Sequence, residues 1–358
     1  MADATERLFT AMLDTARRYD ASDIHLIARL PPAYRVSGEI VIASECDPLS
    51  NETLLSLTDY LLTTQQRKQL EDDREITYSY FYPTSGRIRI SFYHRIGGPE
   101  MAIRMCNLEV KSSDDLMLPT IVDKLANKTS GFIIITGPTG MGKTTTMNYL
   151  IDLINATRRG KIITIEDPVE FEHRHRKSII TQIEVGTDTH SFAACLRHVL
   201  RLDPDVVCVG EMRDLDTIET ALTAAETGHL VIATLHTPNA VSTIDRIIGC
   251  FDGVRQPHVI MQLASSIEAI IDKRLIPSID KERRVLATEV LVANTAIRSI
   301  IRESRMHQIY NAIASGRELG MHSLEESLAS LYQRGLISLD QALANAVRPD
   351  ELRGLLRS

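Results

Sequence analysis

The chain has 358 residues, 44% hydrophobic and 24% charged, the balance of an ordinary globular protein with room for two domains and a sizeable core. A formal net charge of −7, no Trp and only 5% aromatic residues exclude a surface built throughout for nucleic acid, although a local basic channel is compatible with those totals. Cys46, Cys106, Cys195, Cys208 and Cys250 are scattered without a Cys-x-x-Cys pair, so buried thiols in a reducing cytoplasm are expected, not disulfides or a zinc site.

In chain order, Leu8, Phe9, Met12, Leu13 and Ala16 recur at helical spacing among charges, which predicts an amphipathic N-terminal helix and no signal peptide. No apolar run approaches the length needed to span a bilayer, so any action at a membrane is expected to pass through partners on the cytoplasmic side. Residues 1–109 continue as a small α+β domain, with "AYRVSGEIVI" and "GRIRISFYHR" read as strands. The second of these puts Ile88, Ile90 and Phe92 on one face and Arg87, Arg89 and Ser91 on the other. Residues 110–118 are polar and aperiodic, end before Pro119, and read as a linker. From 119 to 358 the pattern changes. "GFIIIT", "GKIITIE", "PDVVCVGE" and "GHLVIATLHT" are short apolar runs between helical segments, as expected of parallel strands buried on both faces. After Ala240 the chain reads as mostly helical: "AVSTIDRIIGCF", "HVIMQLASSIEAIIDKRL", "TAIRSIIRES", "MHQIYNAIASG" and "SLEESLASLYQRG".

"GPTGMGKT" (Gly137, Pro138, Thr139, Gly140, Met141, Gly142, Lys143 and Thr144) matches G-x-x-x-x-G-K-[ST] in full, follows the strand "FIIIT" and opens a helical run. Glycines there let backbone N–H groups wrap phosphates, and the helix N-terminus adds partial positive charge. Lys143 then reaches the β- and γ-phosphates and Thr144 offers a hydroxyl to Mg²⁺. Hydrolysis further needs an acid beside the metal and a carboxylate to orient or deprotonate water. Glu211 closes one apolar strand and is read as holding Mg²⁺ through water; Glu166, Asp167 and Glu170 close another. Each of these is, taken alone, equally a solvated or capping carboxylate. Their gathering at the C-terminal ends of parallel strands, where such sheets bind ligands, points to catalysis.

His229 and His236 bracket the strand "LVIATL". A metal pair would want further ligands, and His173 and His175 stand in a basic stretch that repels cations and reads as a solvated loop. Satisfied core histidines are one reading of His229 and His236; a role in reporting ligand state is the other.

"GPTGMGKT", "TIEDPVEF", "DPDVVCVGEMRD" and "GHLVIATLHT" resemble the Walker A, Asp box, Walker B and His box of the secretion ATPases that power type IV pili, type II secretion and related machines. "ASDIHL", "PPAYRVSGEI" and "AIRSIIRES" are similar to strings of the pilus retraction (PilT-like) subfamily. The long extra N-terminal domain and paired-cysteine zinc motif usual in extension and type II ATPases are absent from the sequence. Met141 stands where Ser is usual, Ala233 where Gly is common, and Pro238 follows the His box. The resemblance implies an α/β chain in which a small PAS-like α+β domain precedes a RecA-like P-loop domain, assembled as a homo-hexamer with ATP and Mg²⁺ bound between the domains. It implies a catalytic base at Glu170, the Walker B glutamate at Glu211, γ-phosphate-sensing arginines such as Arg89 and Arg104, and nucleotide sensing by His236 passed on through His229. It further implies a cytoplasmic motor at the inner face of the inner membrane, partnered by the pilus platform protein, with no direct nucleic acid. The helix of Ala296, Ile297, Ile300 and Ile301, with Arg298, Arg302 and Arg305 on other sides, carries the retraction motif in that family. Assembly or secretion ATPases of type II, type IVB or conjugative systems, a RecA-like nucleic-acid translocase, and a P-loop switch that binds without turnover are the competing readings.

Overall fold

The computed structural model describes residues 2–36, 38–82, 86–96, 98–106, 109–280 and 283–357. By its internal contacts the backbone divides into a first unit, Met1–Glu109 with Pro168–Glu172, and a second, Val110–Asp167 with His173–Ser358.

In the first unit, α1 (Ala2–Arg18) buries Phe9, Met12, Leu13 and Ala16 as its spacing predicts, but Leu8, expected on the same face, is exposed because it lies at the edge of that stripe. It is followed by β1 (Ala21–Ile27), β2 (Ala33–Val36) and β3 (Glu39–Ile42), then α2 (Asn51–Leu61) and α3 (Thr64–Asp73), then β4 (Glu75–Tyr82), β5 (Gly86–Arg95) and β6 (Gly98–Met105). The strands form one antiparallel sheet in the order β3-β2-β1-β6-β5-β4. The stretch 33–42 is a hairpin of two strands and not one, with Ala33 opposite Ile42; Ser37 lies outside the described residues. Ile88, Ile90 and Phe92 are buried, and alternation turns Arg89 to the other face.

The second unit contains α4 (Ile121–Leu125), β7 (Gly131–Thr136), α5 (Lys143–Thr157), β8 (Lys161–Glu166), β9 (Ile179–Glu184), α6 (Phe192–Val199), β10 (Val206–Val209), α7 (Leu215–Glu226) and β11 (Leu230–Leu235). It continues with α8 (Ala240–Gly249), α9 (Gln256–Ser266), β12 (Ile267–Pro277), β13 (Arg284–Val292), α10 (Thr295–Arg302), α11 (Ile309–Ser315), α12 (Leu324–Gln333), α13 (Leu339–Asn345) and α14 (Pro349–Leu355). The sheet runs β13-β12-β7-β11-β10-β8-β9, parallel except for the β12–β13 pair, so the fold is α/β with a mixed sheet. β7, β10 and β11 are buried along their whole length and β8 along nearly all of it, which explains their continuous apolar runs. Phe132 and Ile134 face a core shared with α6 to α11, and Ile133 and Ile135 face one shared with α4 and α5.

Three sequence expectations are corrected here. The segment 258–275 is not one helix: α9 stops at Ser266 and the chain turns into β12, where Ile267, Ile270 and Ile271 pair along the free edge of β7. β-Branched residues buried on both faces favour the strand, and β7 would otherwise keep an unpaired edge. Among the thiols, Cys106, Cys195 and Cys208 are buried, Cys250 is half-buried, and Cys46 is exposed. On α10, Ile297, Ile300 and Ile301 are buried but Ala296 is exposed. Arg298 is held by Glu268 at 2.6 Å and by the carbonyls of Ala264 and Ser265, so it closes the C-terminus of α9. Among the described residues no helix is long and apolar enough to cross a membrane.

Candidate active site

The loop between β7 and α5 is shaped by what surrounds it. Gly137 has φ 134°, and a Cβ there would run into the backbone carbonyl of Lys273 on the adjacent strand. Gly142, at φ 74° and ψ 31°, reverses the chain so that α5 starts at Lys143 with its first N–H groups open toward the loop. Gly137→Ala should therefore combine backbone strain of about 1–3 kcal/mol with a shift of β12. We expect a lower melting temperature and little further stabilisation on adding ADP, read by thermal unfolding with and without nucleotide; an unchanged shift with ADP would refute the steric account.

Lys143 is buried, and its ammonium is fully engaged. It donates to the carbonyls of Gly137 at 2.8 Å and Pro138 at 3.0 Å, and lies 3.3 Å from Nδ1 of His236. Burial pushes its pKa below the ordinary lysine value, opposed by the charges of Glu211 and Asp272. Because a donor faces Nδ1, that nitrogen accepts, and the ring carries its proton on Nε2. Nε2 is 3.2 Å from Oε1 of Glu211, so His236 links the loop lysine to the strand-end carboxylate. The hydroxyl of Thr139 also lies 3.3 Å from Nδ1.

Glu211 is fixed from below and from the side. The Gly210 N–H donates to the Ile165 carbonyl at 2.8 Å, the Met212 N–H donates to the Thr234 carbonyl at 3.1 Å, and the Thr234 hydroxyl donates to the Gly210 carbonyl. Arg213 bonds the other carboxylate oxygen at 2.8 Å. Partial burial raises the pKa of Glu211, but the hydrogen bonds from Arg213 and His236 and the charge of Arg213 outweigh it, so the group is held below the usual glutamate range. An ionised carboxylate and the half-buried hydroxyl of Thr144 are hard oxygen donors, the set that Mg²⁺ takes alongside phosphate oxygens.

The other sequence-predicted residues lie elsewhere. His229 is at the opposite end of β11 from His236, with Nδ1 3.0 Å from the Ala224 carbonyl at the close of α7. Glu166 is buried and accepts from the Thr164 hydroxyl at 2.6 Å and the Gln182 amide at 3.1 Å, whereas Asp167 is exposed. Glu170, Arg89 and Arg104 belong to the first unit. There Arg89 and Arg104 are cross-strand partners on β5 and β6, Arg104 pairs with Asp23 at 3.0 Å, and the exposed Glu170 adds to the burial that pushes the Cys106 thiol up to about 11. His173 is corrected from a solvated loop residue: it is buried, its Nε2 meets Asn148 Oδ1 at 3.1 Å, and burial with the charge of Arg176 pushes it down to about 4. His175 is exposed and accepts the Ile180 N–H at 3.1 Å.

A family model described as "Type II/IV secretion system protein" matches residues 2–348. The chain belongs to that family. Within it, the chain is 39% identical over 311 residues to the type IV pilus retraction ATPase PilT of Pseudomonas aeruginosa, covering 87% of this chain and 90% of the relative. It is 38% identical over 310 residues to a twitching motility protein of Neisseria gonorrhoeae, covering 87% and 83%. A crystal structure described as the pilus retraction motor PilT with bound ADP superposes with a TM-score of 0.90 at 42% identity, covering 96% of this chain and 98% of the other. The sequence motifs point to the loop and the strand-end glutamate but not to two side chains that the fold adds: Arg213, which the sequence shows only as part of "GEMRD", and Lys273, hidden in a stretch read as helix.

Proposed function

We propose that the chain is an ATP-hydrolysing motor of the secretion ATPase family that drives type IV pilus retraction. One observation carries the reading: Lys143, His236 and Glu211 form a continuous hydrogen-bonded path from a phosphate-binding loop to a strand-end carboxylate, in a chain whose full-length likeness is to a retraction ATPase. In this reading the 137–144 loop and Lys143 bind the phosphates of ATP. Thr144 and, through water, Glu211 hold Mg²⁺, which neutralises charge on the phosphate oxygens when bound. Glu170 takes a proton from the attacking water, and Arg89 and Arg104 stabilise charge on the transferring group.

The finer architecture belongs to the same proposal. Residues 1–109 act as a PAS-like domain, 110–118 as a linker and 119–358 as a RecA-like ATPase domain with a helical end. Six copies form a ring at the cytoplasmic face of the inner membrane, against the membrane-embedded pilus platform protein, without direct nucleic acid. Loss of the γ-phosphate changes what Lys143 and His236 contact, and that difference in contact energy is what can move a domain. His229 carries the change to the far end of β11. Deleting the chain should leave cells with excess pili that do not retract; normal filament number and retraction, together with no phosphate release by the purified protein, would remove the reading.

Replacing His236 by Ala should leave ADP affinity within about threefold, because the loop and Lys143 remain. Turnover should drop by about tenfold or more as Glu211 and Lys143 lose their link. Steady-state phosphate release with calorimetric binding checks both halves, and turnover equal to the parent would show that the ring is a passive filler.

A further inference from the structure

β12 carries Asp272, Lys273 and Arg274 in its second half, after the apolar run Ala269, Ile270 and Ile271, and Lys273 is only 2% exposed. A charge taken out of water normally brings a counter-charge with it, since the desolvation cost is otherwise large. Lys273 brings none: its ammonium donates to the carbonyl of Gly142 at 3.0 Å and to the hydroxyl of Thr146, and it forms no ion pair among the described residues. The acid next to it in sequence is committed elsewhere, because strand alternation sends Asp272 to the other sheet face, where it accepts from the Thr136 hydroxyl at 3.1 Å and lies 3.9 Å from Arg274.

Both partners of Lys273 sit at the start of α5, the positive end of that helix, so the ammonium is placed where the helix dipole opposes it. Burial alone pushes its pKa down to about 7. The strand is also fastened to the loop, with the Leu275 N–H donating to the sulfur of Met141 at 3.1 Å and the Lys273 carbonyl filling the space that Gly137 leaves. A cation packed behind a positive helix end is costly by itself and becomes favourable when negative charge arrives in front of that end.

We propose that Lys273 is a positioning residue of the phosphate site: a second buried cation that acts from behind the loop, through Gly142 and Thr146, and biases the site toward the more highly charged nucleotide. The inference rests on the reading of residues 137–144 as a nucleotide site. It assigns Lys273 a charge role and not only a tethering one, because a tether needs only a donor, whereas this side chain is an ionisable amine held beside the helix end with no carboxylate paired to it among the described residues. Met141 then has a part as well, its sulfur keeping β12 registered against the loop.

The test compares wild type, Lys273→Met and Lys273→Gln at pH 6.5 with Mg²⁺, measuring affinities for ADP and for a non-hydrolysable ATP analogue. Met removes charge and donors; Gln removes the charge but keeps a donor. Both variants should weaken ADP and weaken the ATP analogue by a further factor of about three to ten, since Coulomb attraction scales with ligand charge in a poorly screened site. Equal losses on the two ligands would make Lys273 a scaffold residue, and wild-type affinities in Lys273→Gln would make it a tether; either result overturns the proposal. Should Lys273→Met fail to fold, Lys273→Gln carries the comparison. A wild type that binds neither nucleotide brings down the site reading itself, and is told apart from the other outcomes by the parent protein alone.

Discussion

Lys143→Ala is expected to abolish nucleotide-dependent activity, lowering phosphate release by on the order of 10²–10³ or more and weakening ADP binding in parallel. The geometry makes this the largest single loss available. Among the described residues the ammonium is the only group that touches both loop carbonyls, Gly137 and Pro138, while reaching His236, so its removal empties the centre of the loop and breaks the path to Glu211. Stability should respond in the other direction or hardly at all, because burial already disfavours the charged form of Lys143. A melting temperature close to the parent with binding gone separates a lost ligand group from a lost fold. Turnover near the parental rate would mean that the loop does not hold the reacting phosphate.

How much of this was legible before the fold was known depends on how local the signal is. The loop is read directly from its residues because its glycines and Lys143 fall at fixed spacing within eight positions, although the Lys273 carbonyl that excludes a side chain at Gly137 is not visible there, and β7 announces itself as six buried residues in a row. Glu211 is equally legible as the first charge after an apolar strand. β12 was not, since "SSIEAIIDKRL" continues a helical pattern without a turn signal, and a segment buried on both faces loses the alternation that would identify it as a strand. Lys273 follows the same logic: a lysine in sequence is by default at the surface, and only the pairing of β12 with β7 drives this one inward. His173 shows the reverse failure. Its basic neighbours suggest solvent, yet Asn148 of α5 reaches across to its ring. In each case the missing information is a partner distant in sequence.

Glu170→Gln is expected to separate binding from chemistry, keeping ATP affinity within about twofold while lowering hydrolysis by about 10²–10⁴, as removal of a proton acceptor does. The assignment gains from what the other acids are doing. Glu166 is buried, and its Oε1 accepts from Thr164 and Gln182, so the carboxylate is enclosed by the sheet and not open to an attacking water. Glu211 is kept ionised by Arg213 and His236 and held below the usual glutamate pKa, which suits a group that anchors a cation and makes it a weak proton acceptor. Glu170 is exposed and carries neither restraint among its described contacts. Glu211→Gln should accordingly differ from Glu170→Gln in a measurable way: its defect should ease at raised Mg²⁺ concentration, whereas the Glu170→Gln defect should not. Steady-state phosphate release titrated with Mg²⁺ on the two variants decides the matter. If Glu170→Gln hydrolyses ATP at the parental rate, the base is not Glu170, and Glu166 and Glu211 are the next carboxylates to replace.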